Sequence, residues 1–460
     1  MLEPKKNPNP SYLVDPSAWL RWAISKLVLG PKLSPASIEK RRKTAEARRR
    51  ASGAPHVVEY FHQLDDPYSH LAVQVLSDLV SRYDIVLQFH LVRATGGPNQ
   101  PEFEKLAVWA RRDAELIAPH LGLSFPENAD TVPDPDHLTM AGRALAAIDI
   151  QADGALARVQ AVSRALWSGS ETVLKEQTKH LASHEQLVAA LDSGSARLSK
   201  LGHYSGAMFF YGGEWYWGVD RLSHLEHRLR GLGACKAPNQ PLIAPRPEVD
   251  LSGVDASALR LDFYPSLNSP YTSIIFDRTI ALKDACGIEF HHKPVLPMIM
   301  RGLPVPMQKA GYILFDTKRE ADAAGVPFGN IVAPVGTPTR RAYSLLPWAR
   351  SQGKDEALMS SLLKHAWALG VGLHREAGMK QAVEAAGLDW ATARRVIGDE
   401  SWKSMVEAHQ DEMVDGLGLW GVPSYRLSGP SGEPDMAVWG QDRLWLVAAE
   451  IARRCERSTA

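Results

Sequence analysis

The chain has 460 residues, of which 45% are hydrophobic and 23% charged, so it is long enough for two or more ordinary globular domains. Its 52 basic and 52 acidic residues balance, which gives no overall reason to expect a nucleic-acid or acidic-lipid partner. The three cysteines, Cys235, Cys286 and Cys455, form no CxxC pair, which argues against a disulfide framework and a zinc ribbon.

Residues 1–55 are predicted to form a basic, helical N-terminal extension. They contain twelve Lys or Arg and four Asp or Glu, a surplus of eight. Trp19, Trp22 and Leu27 fall on one apolar helical stripe, and a basic run around Arg48–Arg50 follows. This pattern is typical of a helix docked on the protein body, followed by a solvated charged helix. The alternative is a weak peripheral membrane contact, because Trp and basic residues on an amphipathic helix favour membrane surfaces.

The apolar stretch Ala18–Gly30 is short and is interrupted by Arg21 and Lys26. It therefore has the pattern of neither a secretory signal nor a membrane span. We expect a cytoplasmic protein with no nucleic-acid partner.

The segment 56–232 is predicted to contain a β-α-β unit, a helical block and a β-β-α unit. Apolar and β-branched runs indicate the strands, and proline or glycine marks the turns. The predicted elements are strand His56–Phe61, helix Pro67–Tyr83, strand Ile85–Val92, helices within 101–200, a hairpin of Phe209–Tyr211 and Glu214–Trp217, and a helix after Asp220.

Residues 233–258 are rich in proline and show little periodicity, which predicts a linker. The segment 259–456 then has the same order of elements as the first. They are strand Leu259–Tyr264, helix Pro270–Cys286, strand Ile288–His292, helices within 305–415, a hairpin of Ser424–Leu427 and Ala437–Trp439, and a helix from Asp442.

Two motifs indicate that these segments are copies of one domain. Asp66-Pro67-Tyr68-Ser69 matches Ser269-Pro270-Tyr271-Thr272, and Trp217-Gly218-Val219-Asp220-Arg221-Leu222 matches Trp439-Gly440-Gln441-Asp442-Arg443-Leu444. A β-α-β half and a β-β-α half, separated by a long helical insertion, is the plan of a thioredoxin-like fold. The predicted fold class is therefore α/β, with two tandem thioredoxin-like domains after the helical extension.

Three elements of the second copy point to one site. Ser269 followed by Pro270 indicates a helix N-terminus at the end of the first strand, with Ser269 as its N-cap. The exposed N–H groups and the dipole of such a helix favour an anion such as a thiolate. A cis bond before Pro423 would turn the Val422 backbone toward this helix start. Asp442, at the start of the last helix, is either a cap or a receptor for a ligand's ammonium group.

The second copy resembles the 2-hydroxychromene-2-carboxylate isomerases and kappa-class glutathione transferases, within the DsbA-like branch of the thioredoxin superfamily. The matching residues follow the family's order over nearly all of 259–455. They are Asp262-Phe263-Tyr264, Ser269-Pro270-Tyr271, Lys309, Tyr312, Asp316, Arg319, Gly325-Val326-Pro327-Phe328, Gly421-Val422-Pro423 and Trp439-Gly440-Gln441-Asp442-Arg443-Leu444.

The resemblance implies that glutathione is the cofactor. It implies that Ser269 faces the glutathione sulfur and that Val422, before a cis Pro423, binds the cysteinyl backbone. It also implies that Gln441 and Asp442 hold the γ-glutamyl end.

One departure from the family concerns the substrate. The family usually has a Gly-Asn pair soon after the second strand, where this chain reads Met300-Arg301-Gly302-Leu303. Lys309 either supplies a compensating charge for a carboxylate or is a solvated surface lysine.

The predicted function is that of a glutathione-dependent isomerase or transferase acting on a small, aromatic or conjugated substrate. The Ser269 hydroxyl and the helix N-terminus would lower the pKa of the bound thiol. One alternative is a DsbA-family thiol–disulfide oxidoreductase, although Ser269 and Thr272 stand where a CxxC pair would be. The other is a non-catalytic thioredoxin-fold scaffold or binding protein. No metal site is predicted.

The first copy differs at the positions that matter. Asp66 takes the place of Ser269, and its negative charge would repel a thiolate. Gly206-Ala207-Met208 aligns with Gly421-Val422-Pro423, so the cis proline is missing. We predict that this copy binds no glutathione and is either the partner in an intramolecular pseudo-dimer or a divergent ligand site.

Overall fold

The computed structural model describes residues 2–126 and 132–459. The described chain divides into two units. The N-terminal unit is Glu39–Pro247, and the C-terminal unit joins the part of the chain up to Ile38 to the part from Glu248 onward. The extension predicted over residues 1–55 is thus divided between the two units.

The first helices of the chain are short, except for the last of them. They are α1 (Ser11–Val14), α2 (Ala18–Ala23), a π-helical segment (Ile24–Leu29), α3 (Gly30–Leu33) and α4 (Pro35–Ala51). Proline at the start of α4 suits a first helical turn, where its missing N–H leaves no intrahelical bond unmade.

The N-terminal unit contains a four-stranded sheet and eight further helices. The sheet has the order β2-β1-β3-β4, with β2 parallel and β3 antiparallel to β1. The strands are β1 (Val57–Gln63), β2 (Val86–Val92), β3 (Met208–Tyr211) and β4 (Glu214–Trp217). The helices are α5 (Pro67–Val73), α6 (Leu76–Arg82), α7 (Phe103–Ile117), α8 (Pro135–Ala146), α9 (Ala155–Trp167), α10 (Glu171–Gln177), α11 (His184–Lys200) and α12 (Leu222–Gly231).

The helix predicted over Pro67–Tyr83 is two helices, α5 and α6. The backbone tightens at Gln74 and Val75, whose N–H groups bond three residues back to Leu71 and Ala72. The side chain of Gln74 also exchanges two hydrogen bonds with the backbone of Ser124. This long-range pairing has no counterpart in the local pattern from which one helix was predicted.

The C-terminal unit repeats the sheet order, β6-β5-β7-β8, with the same strand directions. Its strands are β5 (Arg260–Tyr264), β6 (Glu289–His292), β7 (Ser424–Ser428) and β8 (Met436–Trp439). Its helices are α13 (Pro270–Cys286), α14 (Met307–Ala323), α15 (Thr337–Tyr343), α16 (Leu346–Ser351), α17 (Asp355–Trp367), α18 (Glu376–Ala385), α19 (Trp390–Val396), α20 (Trp402–Asp411) and α21 (Leu444–Thr459). The chain is therefore mixed α/β, and helices fill the interval between the second and third strand of each sheet.

The strand pairing shows that the sequence alignment of β3 with β7 must be moved by one residue. Met208 pairs with Trp217, and Ser424 pairs with Trp439. Because the two tryptophans correspond, Met208 corresponds to Ser424 rather than to Pro423. Ala207 therefore takes the place of the proline, and the sequence alignment of Gly206-Ala207-Met208 with Gly421-Val422-Pro423 was wrong by one position.

The segment 233–258 has no long element, but it is not free of its neighbours. Lys236 N bonds to Arg82 O, and Ile243 N bonds to the buried Glu226 within the N-terminal unit. Ala256 N bonds to Cys286 O within the C-terminal unit. Both ends of the predicted linker are thus held, each by its own unit.

The start of the chain packs on the C-terminal unit through polar anchors, not through its apolar stripe. Arg21 is buried and donates to the carbonyl oxygens of Ala333 and Val335, at 2.8 and 2.6 Å. Ser25 donates to the carbonyl oxygen of Ile331. The predicted docked helix is present, but its tryptophans point to the solvent.

Candidate functional site

Ser269 is the N-cap of α13 at the C-terminal end of β5. Its hydroxyl oxygen accepts a hydrogen bond from Thr272 N at 3.1 Å, and the side chain is only 7% exposed. The same hydroxyl donates to the carbonyl oxygen of Val422 at 3.3 Å. A helix start with a nearly buried hydroxyl donor is a suitable environment for a thiolate.

The loop of Val422 approaches this helix start through a cis peptide bond between Val422 and Pro423. The carbonyl oxygen of Pro423 accepts from Gly440 N at 3.0 Å, which ties the loop to the end of β8. Gly421 permits the close packing of the loop, because a Cβ atom there would lie 1.7 Å from the Trp439 indole. The structure therefore brings together Ser269, Val422 and Pro423, as the sequence predicted.

Side chains of the helical insertion hold the turn before Ser269. Tyr343 accepts from Leu267 N at 3.2 Å and donates to Val295 O at 2.8 Å. Trp367 Nε1 donates to Leu267 O at 3.0 Å. Both polar groups of the Leu267 backbone are thus paired with the insertion, which fixes the entry to α13.

Gln441 and Asp442 are buried in a short 3₁₀ helix, Gln441–Arg443, that packs against α13. Gln441 Nε2 donates to the buried Glu320 at 2.7 Å. Gln441 Oε1 is also buried and has no hydrogen-bond partner among the described residues. An unpaired buried acceptor next to carboxylates is suited to a ligand that brings N–H donors.

Lys309 lies on the face of α14 that Asp316 and Glu320 share, two turns before Asp316. Asp316 accepts from the Tyr271 hydroxyl at 2.8 Å, which connects this face to the first turn of α13. No hydrogen bond or ion pair of the Lys309 ammonium occurs within residues 2–126 and 132–459. Burial lowers the pKa of Lys309 to about 8.

Arg301 lies in the segment that departs from the family's Gly-Asn pair, and it contacts the loop that precedes Val422. Its guanidinium donates to Leu296 O at 3.0 Å and to Trp420 O at 2.5 Å. No carboxylate pairs with Arg301 in the described parts of the chain, and burial lowers its pKa to about 10. The side chain therefore adds an uncompensated positive charge beside the loop. Nothing in one sequence shows that this arginine turns inward.

The N-terminal unit places Asp66 where the C-terminal unit has Ser269. Its carboxylate accepts from the backbone N–H groups of Tyr68 and Ser69 and from the Ser69 hydroxyl, at 3.3, 3.0 and 2.7 Å. Burial raises the pKa of Asp66 to about 6. The carboxylate thus occupies the donors of its own helix start.

The cysteines do not belong to the site. All three are free, and Cys286 is the last residue of α13, at the opposite end of the helix from Ser269. Within the described residues, no cluster of His, Cys, Asp and Glu could hold a metal ion. No helix there is long and apolar enough to cross a bilayer.

Comparison with known proteins supports the fold of the C-terminal unit. The model of the DSBA-like thioredoxin domain family matches residues 260–452. No curated protein matches the chain.

Among solved structures, one similar protein is a 2-hydroxychromene-2-carboxylate isomerase, 18% identical, with a TM-score of 0.36 and coverage of 44% of this chain and 98% of that one. A probable DsbA oxidoreductase from Streptomyces coelicolor is 18% identical, with a TM-score of 0.33 and coverage of 42% and 90%. The cytosolic disulfide reductase DsbM from Pseudomonas aeruginosa, solved with GSH, is 14% identical, with a TM-score of 0.31 and coverage of 42% and 99%. At these values the similarities carry no argument about activity.

The family match and the residues at the start of α13 agree on the same part of the chain. Residues 260–452, which match the model of the DSBA-like thioredoxin domain, include both Ser269 and Pro423.

Proposed function

We propose that the C-terminal unit is a glutathione-dependent isomerase or transferase. The observation that carries the proposal is Ser269, a hydroxyl-bearing N-cap facing the backbone of Val422 before a cis proline. A thiolate at this point would accept a hydrogen bond from the Ser269 hydroxyl and would be stabilised by the dipole of α13. We also propose a cytoplasmic location, which the three free thiols support.

The residues around Ser269 fit glutathione. Among the residues that the structure describes, Gln441 Oε1 is buried without a hydrogen-bond partner, and the next residue, Asp442, is also buried. An ammonium group donates three hydrogen bonds, and these two side chains offer acceptors for it. The carbonyl oxygen of Val422 accepts from Ser269, and a carbonyl oxygen has a second lone pair for an N–H group of the ligand.

Glutathione bound here would supply a nucleophilic thiolate, and reversible thiolate addition to a conjugated alkene would permit cis–trans isomerisation. When the thiol binds, the Ser269 hydroxyl would turn its one proton from Val422 O to the sulfur and favour the ionised form of the thiol. Gln441 and Asp442 orient the γ-glutamyl end, and Val422 positions the cysteinyl backbone. With a glutathione conjugate as the product, the same residues would serve a transferase reaction.

Arg301 and Lys309 support a substrate with a carboxylate group. Neither cation pairs with an acid in the described residues, and both are partly withdrawn from water. An unpaired cation in such a place attracts an anion more strongly than one on the open surface. We therefore propose a small aromatic or conjugated carboxylate as substrate.

The thiol–disulfide oxidoreductase alternative lacks its redox pair. Ser269 and Thr272 occupy both positions of a CxxC motif, and Cys286 is at the far end of α13. We further propose that the N-terminal unit is a degenerate copy of the same domain, because its sheet order is identical and Asp66 fills the thiolate position. That the two copies form a pseudo-dimer stays a prediction.

Glutathione-affinity retention of the full chain tests this function. The wild-type protein should be retained and eluted by free glutathione, and Asp442→Ala should pass through. Asp389→Ala is the matched control, because it removes the N-cap of α19 in the same unit. Failure of the wild-type chain to bind would leave the scaffold alternative, and insulin reduction above background would favour the oxidoreductase.

A further inference from the structure

The segment from Tyr12 to Leu33 has one face that is fixed to the C-terminal unit. Arg21 bonds to two carbonyl oxygens and to Asp15, and Ser25 bonds to Ile331 O. Leu33 is buried at the end of α3. These anchors hold the segment in a defined orientation.

The opposite face exposes large apolar side chains. The exposed fractions are 70% for Trp19, 46% for Trp22 and 63% for Leu27, with Tyr12 and Val28 also exposed. A single exposed apolar side chain is ordinary on a protein surface, but several of them on one short segment indicate an interaction surface. We refer to Tyr12, Trp19, Trp22, Leu27 and Val28 as the aromatic face.

The charged residues that follow Asp15 in this segment are all positive. The sequence has no Asp or Glu between Asp15 and Glu39, whereas Lys26 and Lys32 are exposed there. Arg21 is already paired with Asp15. A second copy of the same face would therefore bring lysines against lysines.

An anionic bilayer surface complements both properties. Trp and Tyr rings prefer the boundary between headgroups and acyl chains, and Lys side chains attract acidic headgroups. We propose that the aromatic face is a peripheral membrane-binding surface that inserts Trp19, Trp22 and Leu27 between anionic phospholipid headgroups. This proposal does not rest on the proposed glutathione site.

Co-sedimentation of the full chain with phosphatidylcholine vesicles, with and without phosphatidylserine, tests the proposal. The wild-type protein should sediment with phosphatidylserine-containing vesicles at low salt, and less at high salt. The triple variant Trp19→Ser, Trp22→Ser, Leu27→Ser should bind at least roughly tenfold more weakly, because it loses most of the apolar area that would insert.

A second variant separates the electrostatic contribution. Lys26→Gln with Lys32→Gln should weaken binding to phosphatidylserine vesicles by roughly fivefold for each lysine, from about 1 kcal/mol per charge near the surface. The weak binding of this double variant to pure phosphatidylcholine vesicles should equal that of the wild type. Both side chains are exposed, so folding is preserved.

The matched control removes exposed apolar side chains elsewhere. Val108→Ser, Leu116→Ser and Val173→Ser lie in the N-terminal unit and should leave vesicle binding at the wild-type level. Equal binding by the wild-type chain and the Trp19 triple variant would overturn the proposal, as would no binding by the wild type. A dimer that this triple variant abolishes, without vesicle binding, would assign the face to a second copy instead.

Discussion

The hydroxyl of Ser269 and the carbonyl oxygen of Val422 lie 3.3 Å apart, although 153 residues separate them in the chain. The contact joins the start of α13 to the loop before β7, and in the proposed function it places a proton donor beside the glutathione sulfur. Because Ser269 also caps α13, its role in stability must be distinguished from its role in chemistry.

Replacement of Ser269 by alanine should reduce glutathione-dependent turnover by roughly ten- to a hundredfold, the value of one hydrogen bond to a charged group. The pH profile of kcat/KM should also shift upward, because the bound thiol loses a donor that favours its ionised form. Loss of the cap should cost about 1 kcal/mol of stability. Asp389→Ala should cost similar stability with normal turnover, and an unshifted profile for Ser269→Ala would contradict the role of the hydroxyl.

Lys309 predicts a pH dependence of substrate binding. Its pKa is lowered to about 8 by burial, so the ammonium is charged below pH 8 and neutral above it. The KM for a carboxylate substrate should therefore rise as the pH passes from 7 to 9. Lys309→Met should have a high KM at both pH values, and Lys309→Arg should keep a low one.

The control for this prediction is Lys364→Met, because Lys364 is exposed in the same unit. It should leave the pH profile as in the wild type. The depressed pKa of Lys309 also means that stability rises with pH from about 8 toward the unfolded value near 10.4, since the unfolded chain then binds more protons. A KM for the wild type that is constant from pH 7 to 9 would rule out an ionic role for Lys309.

The sequence predicted the strands to within two residues at their ends, because apolar and β-branched runs bounded by turns reflect local physics. It also predicted Ser269, Val422 and Pro423 as neighbours, since the helix start and the cis-proline loop each have a short motif. The role of Arg301 could not be predicted. Its partners are the backbone oxygens of Leu296 and Trp420, and a backbone partner leaves no trace in the side-chain pattern.

The association of the first 38 residues with the C-terminal unit was equally hidden. Arg21 and Ser25 bond to carbonyl oxygens more than 300 residues away. An apolar stripe normally predicts the buried side of a helix, but here the anchors are polar and the stripe is exposed. The one-residue error in aligning Ala207 had a similar origin, because strand register is set by pairing between distant segments.

The backbone at Ala207 predicts that a single substitution to proline cannot give the N-terminal unit the loop conformation that Pro423 has in the C-terminal unit. Ala207 stands in the place of Pro423, but its φ is +55°, whereas a proline ring requires about −65°. Ala207→Pro should therefore destabilise the N-terminal unit by about 3 kcal/mol or more. Ala207→Gly should be tolerated within about 1 kcal/mol, because glycine adopts positive φ freely.

Hydrogen–deuterium exchange of β1–β4 measures this effect, because it reports on the N-terminal unit separately in a chain with two units. Ala207→Pro should accelerate exchange throughout the sheet, and Ala207→Gly should not. Exchange in β5–β8 serves as the internal reference. Wild-type protection of β1–β4 in Ala207→Pro would show that the left-handed conformation at this position is not required.

Arg21 predicts that the first residues of the chain are a structural part of the C-terminal unit. Its guanidinium is buried and satisfies Ala333 O and Val335 O while pairing with Asp15. Arg21→Ala leaves two carbonyl oxygens and a carboxylate without this donor, so it should cost about 2–4 kcal/mol. Lys26→Ala, which removes an exposed cation five residues later, should change stability by less than about 0.5 kcal/mol.

Because Arg21 pairs with Asp15, the stability change caused by Arg21→Ala should depend on pH. Burial opposes the ionisation of Asp15, but hydrogen bonds from Thr337 and the charges of Arg21 and Arg340 keep its pKa below the ordinary value. A depressed carboxyl pKa stabilises the fold above the unfolded pKa near 3.9, and this contribution is lost as the pH falls below it. Urea unfolding of Arg21→Ala should therefore show a smaller loss of stability between pH 5 and pH 3 than the wild type. Identical acid sensitivity in both proteins would mean that Arg21 does not sustain the Asp15 charge.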